Sequence, residues 1–228
     1  MKTTENQDNV PRHIQRRKRD KEFRYKTLLK AAESLFAEKG YNETSIEEIA
    51  SLAEVSPGTV YFYFANKEDL LVNLIREIGI HLRQLLGNVY AGAQTAKEGM
   101  NSVGIAFFRD FCLRSPEKLS IFFREAVGRS ALVEEERKIV YELITADIKN
   151  AVMQISDSLD ENDRSRLAAE IIAVCIVGIY EKLAYHYLLW SNQTSQIMDI
   201  AEDAVMVVSG GITNLLSRFP AFPQKPDG

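Results

Sequence analysis

The chain has 228 residues, 46% of them hydrophobic, and a formal net charge of −4. This length suits one large hydrophobic core, or a small module joined to a larger domain. The acidic total argues against a nucleic-acid partner, but the charge is unevenly distributed: residues 1–30 hold ten Lys or Arg and four Asp or Glu, a net +6. We expect residues 1–20 to form a flexible basic arm that binds phosphate, with a merely solvated tail as the alternative.

The sequence offers no constellation of residues for catalysis. It lacks a P-loop and the GxGxxG, GxSxG and HExxH motifs. The N-terminus has no apolar segment typical of a secretion signal, and the apolar stretch 167–180 is shorter than the roughly 20 residues that span a bilayer. Cys112 and Cys175 are isolated in apolar helical contexts, which predicts two buried reduced thiols. We therefore expect a cytoplasmic protein that is not an enzyme and that has no metal, no cofactor and no membrane partner.

Two helices are predicted after the arm. The first is amphipathic and runs over about residues 21–38, with Gly40 as its C-terminal stop. Ser45 and Glu48 have the spacing of a capping box, in which each side chain binds the other residue's backbone N–H. This pair predicts a short second helix that ends near Ala53.

The third helix has four successive aromatic residues, Tyr61 to Phe64. Ser56 is a good N-cap and Pro57 suits the first helical position. At 100° per residue the four rings spread around the helix, so they cannot all be buried. We expect Val60 and Phe64 to lie in a small core and the tyrosine hydroxyls to project outward, an arrangement suited to reading a DNA groove.

Six further helices complete an all-α fold of about nine helices. Asn66 is expected to cap a long fourth helix that extends to about Leu86, Pro116 to begin the sixth, and Asp160 to cap the eighth. Residues 219–228 are Pro-rich, which predicts a frayed tail. The last five helices are predicted over residues 95–113, 116–128, 132–157, 161–190 and 195–217.

The motif Thr44-Ser45…Ser56-x-Gly58-Thr59-Val60-Tyr61-x-Tyr63-Phe64-x-Asn66-Lys67 resembles the DNA-binding domain of TetR-family transcription regulators, over residues 24–71. The resemblance implies a three-helix helix-turn-helix domain at residues 21–68 and a larger helical domain for ligand binding and dimerisation at 69–218. Two positions depart from the family. Glu54 replaces the usual glycine, where a left-handed backbone would cost about 1 kcal/mol. Pro57 replaces a frequent lysine, with the loss of one phosphate contact.

The resemblance also implies the DNA contacts. Thr44 and Lys67, at helix N-termini, would bind phosphate. Tyr61 would reach a phosphate through its hydroxyl while its ring packs inward, and Phe62 would either touch a thymine methyl group or shield the core. The complete set of expected DNA-binding residues is Thr44, Ser45, Ser56, Pro57, Gly58, Thr59, Tyr61, Phe62, Tyr63 and Lys67.

The larger domain should hold a ligand cavity and a dimer interface. For each aromatic candidate taken alone, an ordinary hydrophobic core is the better explanation, and Arg124 would either solvate a helix face or supply a polar anchor. The candidate wall residues are Phe107, Phe111, Phe122, Arg124, Tyr141 and Tyr180. The last two helices are apolar on more than one face, which predicts burial against both their own domain and a partner subunit. The dimer candidates are Ile171, Cys175, Gly178, Val205, Val208 and Ile212.

Together these features predict a homodimeric, sequence-specific transcription regulator. The expected partners are a near-palindromic double-stranded DNA operator and a small, mostly apolar organic effector that releases the protein, a repressor, from DNA. The alternative is a DNA-binding regulator or organiser that is controlled by a protein partner and has no small-molecule effector. A fully packed larger domain would favour the alternative, and a cavity of several hundred Å³ would favour the effector-controlled regulator.

Overall fold

The computed structural model describes residues 12–155 and 163–218, and every regular element in these ranges is helical. The all-α prediction is confirmed. The α-helices are α1 (Arg12–Lys39), α2 (Ile46–Leu52), α3 (Pro57–Tyr63), α4 (Lys67–Ala91), α5 (Ala96–Ala106), α6 (Pro116–Ser120), α7 (Ala131–Met153), α8 (Asp163–Ala184) and α9 (Ile197–Leu216). None of the helices in the described part of the chain is long and apolar enough to cross a membrane.

The helices form two compact units, residues 1–73 and 74–228. The boundary lies inside α4, a few residues after the predicted end of the helix-turn-helix domain. The predicted Asp160 cap and the tail at 219–228 lie outside the described residues.

Helix α1 is longer than predicted. The expectation of a flexible arm is wrong for residues 12–20, which are helical, while residues 1–11 lie outside the described ranges. No Gly or Pro interrupts residues 12–39, and ion pairs one turn apart, Arg16–Asp20 at 3.9 Å and Glu22–Lys26 at 2.9 Å, support the exposed part of the helix. The basic segment is therefore a projecting helix.

Side chains from all four helices of the first unit form its small core. Val60 and Phe64 are buried in it, as predicted. The other fully or nearly fully buried side chains are Leu28, Leu29, Ala32 and Phe36 of α1, Ile49 and Ala50 of α2, and Leu70 and Leu71 of α4.

The second unit contains helices that change pitch. Three π-helical segments occur in the described residues: Phe107–Cys112 after α5, Ile121–Glu125 after α6 and Tyr185–Trp190 after α8. Each turn of a π-helix contains an extra residue, a feature that is frequent at functional sites. The first two segments carry most of the aromatic core.

The helices of the second unit pack closely against one another. Helix α7 packs along α8, and α4 approaches Val140 of α7 at Gly79, where an added Cβ would lie 2.6 Å from Val140 Cγ2.

Cys112 is buried, and burial raises the pKa of its thiol. Cys175 is exposed, so the prediction of a second buried thiol is wrong for this residue, which lies on the outer face of α8.

Candidate nucleic-acid interface and effector cavity

The second and third helices begin at side-chain caps, as predicted. Ser45 Oγ accepts a hydrogen bond from the backbone N–H of Glu48 at 3.2 Å, and Glu48 Oε2 accepts one from the Ser45 N–H at 2.8 Å. Ser56 Oγ accepts a hydrogen bond from the Thr59 N–H at 3.2 Å, with Pro57 in the first turn. These bonds satisfy helix N–H groups that have no partner within the helix.

The turn between α2 and α3 is tight. Its Glu54 has φ 55°, which is the left-handed conformation anticipated at this position. The Val55 N–H donates to the Ala50 carbonyl at 2.9 Å and closes the end of α2. The geometry is that of a helix-turn-helix, with a strained non-glycine residue at the turn.

Helix α3 presents aromatic side chains to solvent. Tyr61 and Phe62 are 54% and 73% exposed, and Ser56, Pro57 and Gly58 are also exposed. The prediction that the Tyr61 ring packs inward is therefore wrong, because the helix turns that ring away from the core. Tyr63 is partly buried and lies 6.5 Å from the ring of Tyr25 in α1.

Thr44 does not have the role that the resemblance implied. Its side chain is only 2% exposed, and its hydroxyl donates to the Gly40 carbonyl at 2.9 Å. The expected phosphate contact through this side chain is wrong, because the hydroxyl closes the turn that follows α1.

Lys67 binds the backbone of the same loop. Its Nζ donates to the carbonyls of Thr44 at 2.7 Å, Tyr41 at 2.8 Å and Asn42 at 3.3 Å, and it lies 4.4 Å from the centroid of the Tyr41 ring. An ammonium group has three donors, so these contacts use its hydrogen-bonding capacity. A phosphate contact by Lys67 remains a prediction, but in this structure the residue stabilises the α1–α2 loop.

The basic segment of α1 lies beside α3. Lys21 Nζ is 5.8 Å from the centroid of the Phe62 ring, and Tyr25, one turn further on, packs 5.4 Å from the ring of Phe64. This face of α1 therefore adjoins the exposed face of α3. The cations of the projecting helix are all exposed; they are Arg12, Arg16, Arg17, Lys18, Arg19 and Lys21.

The second unit contains an apolar inner cavity of about 50 Å³. It adjoins an outer cavity of about 290 Å³, with which it shares the side chains Leu86, Met100, Val103, Ile144 and Ile148. Four of the six predicted wall residues line the inner cavity: Phe107, Phe122, Tyr141 and Tyr180. Whether they bind a ligand remains a prediction.

The other two predicted wall residues line neither of these cavities. Phe111 is fully buried and packs against the rings of Phe107 at 6.0 Å and His81 at 6.3 Å, so it belongs to the core behind the wall. Arg124 is exposed and donates to Ser120 Oγ at 2.7 Å. The aliphatic wall residues, such as Met100 and Val103, were missed because an aliphatic helix face looks the same in sequence whether it borders a cavity or a packed core.

The inner cavity has few polar groups. Burial raises the pKa of Tyr180. Burial and the nearby carboxylate of Glu181 raise the pKa of Tyr141, and Arg137 partly opposes this shift. The outer cavity is more polar, since Arg83 donates to both carboxylate oxygens of Asp147 at 2.6 and 3.0 Å. A ligand with an apolar chain and a polar end fits this gradient.

The dimer candidates of α8 and α9 differ in exposure. Ile171, Cys175 and Gly178 of α8 are exposed. Val208 and Ile212 of α9 are buried within their own unit, and Val205 packs close to Gly104 of α5. Burial within their own unit disfavours a subunit contact by Val208 and Ile212, whereas Val205 is partly exposed and its contact remains a prediction. The exposed apolar face of α9 instead carries Met206, Val207, Gly210 and Gly211.

Comparison with known proteins agrees with this architecture. Residues 28–74 match the family described as "Bacterial regulatory proteins, tetR family". The fatty acid metabolism regulator protein of Bacillus subtilis is 37% identical over 81 residues, which is 35% of this chain and 41% of that protein. The chain thus aligns with less than half the length of this relative.

Solved structures of low sequence identity share the fold. The transcriptional regulator FadR from Bacillus subtilis, in complex with stearoyl-CoA, has a TM-score of 0.68 and 21% identity and covers 82% of this chain and 98% of its own. The fatty acid degradation regulator FadR from Bacillus halodurans has a TM-score of 0.70 and 20% identity, covering 82% of this chain and 95% of its own. The sequence match thus identifies residues 28–74 as a domain of the tetR family of bacterial regulatory proteins, and the solved structures show that this chain shares the fold of such regulators.

Proposed function

We propose that this chain is a dimeric transcriptional repressor that binds a specific DNA duplex and is released by a small molecule with a long acyl chain. The observation that carries the proposal is the exposed face of α3, held at a helix-turn-helix by two side-chain caps. Exposed Tyr61 and Phe62 have no role in the core of their unit. A helix of this kind suits the major groove, where base edges differ in their hydrogen-bonding groups and methyl groups.

Phosphate binding is assigned to the projecting basic part of α1. Lys21 lies next to Phe62, so the projecting part of α1, which carries the other cations, continues from the edge of α3. A helix that presents several Lys and Arg side chains at fixed positions neutralises phosphates and makes binding depend on salt concentration. These contacts would position α3 without reading sequence.

The effector is assigned to the second unit. The inner cavity is apolar and its outer neighbour is polar at one side, as a ligand with an apolar chain and a polar end requires. The FadR structure from Bacillus subtilis is a complex with stearoyl-CoA, which supports an acyl chain as the apolar part. The inner cavity of about 50 Å³ must widen to hold such a chain, since ligand cavities in proteins measure about 300–1,000 Å³.

Dimerisation is assigned to the exposed apolar faces of α8 and α9. Leu167, Ile171 and Val174 of α8 and Met206 and Val207 of α9 are exposed, although large apolar side chains normally avoid water when they are clustered. A twofold interface buries such a surface against its own copy. Two subunits would then offer two α3 helices to one near-palindromic operator.

The test begins with selection of duplexes from a random pool by the full chain. We expect one enriched, near-palindromic sequence, bound by a dimer. Tyr61→Ala and Phe62→Ala should each weaken binding to that duplex by about 1–3 kcal/mol, and much less to a scrambled duplex. Phe23→Ala is the matched control, because this exposed aromatic lies on nearly the opposite face of α1 from Lys21.

The effector is tested by titrating stearoyl-CoA into the complex of the protein with its selected duplex. Release of the duplex by stearoyl-CoA, but not by coenzyme A alone, supports the proposal. Selection of a duplex without release by any acyl compound would favour the regulator controlled by a protein partner. The proposal would be refuted if no sequence were enriched, or if the protein were a monomer at micromolar concentration.

A further inference from the structure

Two buried donors of α7 lack acceptors. Among the described residues, the Nε atom of Arg137 and the hydroxyl of Tyr141 are the buried side-chain atoms without a hydrogen-bond partner. Arg137 is only 8% exposed. Buried polar groups are almost always hydrogen-bonded, so an exception points to strain or to a missing partner. The two residues are one turn apart and share a face of α7.

Both donors lie beside the wall of the inner cavity. Tyr141 lines this cavity together with Phe122, and the guanidinium carbon of Arg137 is 5.7 Å from the ring centroids of both residues. Tyr141 and Arg137 also border an open groove between α7 and α8. One oxygen acceptor at the end of the cavity would lie near both donors.

The surrounding charges restrict what this acceptor can be. Arg137 already donates to Glu134 through Nη1, at 2.7 and 2.9 Å. Glu181 also lines the inner cavity, and its carboxylate lies close enough to the Tyr141 hydroxyl to help raise the pKa of that hydroxyl. Lys138 and Lys149 border the same groove, but they pair with Glu142 and Glu170. The charges next to the two donors are therefore one cation, Arg137, and two carboxylates. A free carboxylate on the ligand would add a third negative charge in a poorly solvated site, whereas a neutral carbonyl oxygen needs only the two donors.

We propose that Arg137 Nε and the Tyr141 hydroxyl bind the carbonyl oxygen of a neutral acyl group, such as a thioester or ester, whose chain fills the inner cavity. This inference rests on the proposed function and names the polar group that the same site recognises. Both donors are covered in the present structure. The widening of the cavity that admits the chain also has to uncover them, because Tyr141 forms part of the wall.

The experiment compares three ligands with the same chain: lauroyl pantetheine, which is a thioester; its dodecyl thioether, which lacks the carbonyl oxygen; and laurate. Dissociation constants for the full chain are measured by calorimetry below the critical micelle concentrations. We expect the thioester to bind about tenfold more tightly than the thioether, as the loss of one or two hydrogen bonds implies. Laurate should bind more weakly than the thioester.

Three variants test which residues cause the preference for the thioester. Tyr141→Phe and Arg137→Lys, which keeps the charge beside Glu134, should each reduce the preference for the thioester. Tyr180→Phe removes a hydroxyl from the same cavity and should leave the preference unchanged. Without ligand, Tyr141→Phe should melt at the same temperature as the wild type or higher, since it removes an unsatisfied buried hydroxyl.

The outcomes separate this inference from the proposed function. If the wild type binds none of the three ligands, the acyl effector itself is wrong. If it binds thioester and thioether equally, or if Tyr180→Phe rather than Tyr141→Phe removes the preference, the acyl effector stands and the carbonyl site is wrong. A preference for laurate would overturn the argument from charge.

Discussion

Replacing Lys67 by methionine removes an ammonium group that binds three backbone carbonyls, while most of the aliphatic stem is kept. The acceptors are the carbonyls of Tyr41, Asn42 and Thr44, at 2.8, 3.3 and 2.7 Å. They belong to the loop between α1 and α2. The substitution leaves these partly buried oxygens without their charged donor, so the first unit should lose stability.

The expected loss follows from the number and type of contacts. A hydrogen bond to a charged group contributes about 1.5–3 kcal/mol, and an exposed cation–π contact about 0.5–1 kcal/mol. Lys67 is partly exposed and one of its bonds is long, so water can replace part of the interaction. We expect a loss of about 2–4 kcal/mol, which lowers the melting temperature of a unit of this size by about 8 °C or more.

Thermal and urea unfolding, followed by circular dichroism, measure the change. Lys30→Met is the control, because it removes the same charge from an exposed position in α1 and should change stability by no more than about 0.5 kcal/mol. Duplex binding is measured in parallel over a series of salt concentrations. If Lys67→Met melts like the wild type but weakens binding to all duplexes and lowers the salt slope by about one unit, Lys67 is a phosphate contact and its proposed role in the loop is wrong.

Three further predictions concern packing, pH and assembly. Gly79→Ala should lower the free energy of unfolding of the second unit in urea by about 1–3 kcal/mol through overpacking. Gly87→Ala, with nothing within 4 Å of its new Cβ, should instead stabilise α4 by up to about 1 kcal/mol. Equal effects would contradict the contact at Gly79. Glu48 has a pKa of about 2, below its ordinary 4.5, so its stabilising effect is complete above pH 4.5 and disappears as the pH falls towards 2. The difference in melting temperature between wild type and Glu48→Gln should shrink over that interval. Ile171→Asp should convert the proposed dimer into monomers in sedimentation experiments. Leu143→Asp, at an exposed apolar residue of α7, should not; the reverse result would move the proposed interface to α7.

Local signals in the sequence were sufficient to predict the helix boundaries around the candidate DNA-binding surface. Ser45 with Glu48, and Ser56 with Pro57, act within three residues of one another, so their pattern alone predicts the caps that the structure contains. The left-handed Glu54 was anticipated from the family resemblance, because a glycine is usual at that position. The projecting part of α1 was missed because a run of cations suggests a solvated tail, although Arg16–Asp20 and similar pairs also favour a helix.

Features that depend on contacts between distant parts of the chain could not be predicted from local sequence patterns. Lys67 binds carbonyls 23 to 26 positions earlier in the chain, and no local pattern shows where its ammonium group lies. The same limit applies to α9, whose sequence is apolar on several faces. Val208 is buried within its own unit and Val207 is exposed, and only the packing of neighbouring helices decides between adjacent valines.

The π-helical segments offer a way for the small inner cavity to widen around the proposed effector. Phe107 lies in one segment and Phe122 in another, and both line the cavity. Because a π-helical turn contains an extra residue, a change of register there would move a ring without unfolding the whole helix. A ligand enlarges the cavity only by binding the widened arrangement more tightly than the closed one. Burial of its acyl chain can supply about 0.8 kcal/mol for each methylene group, so a long chain can offset the cost of displacing these aromatic rings and a short one cannot.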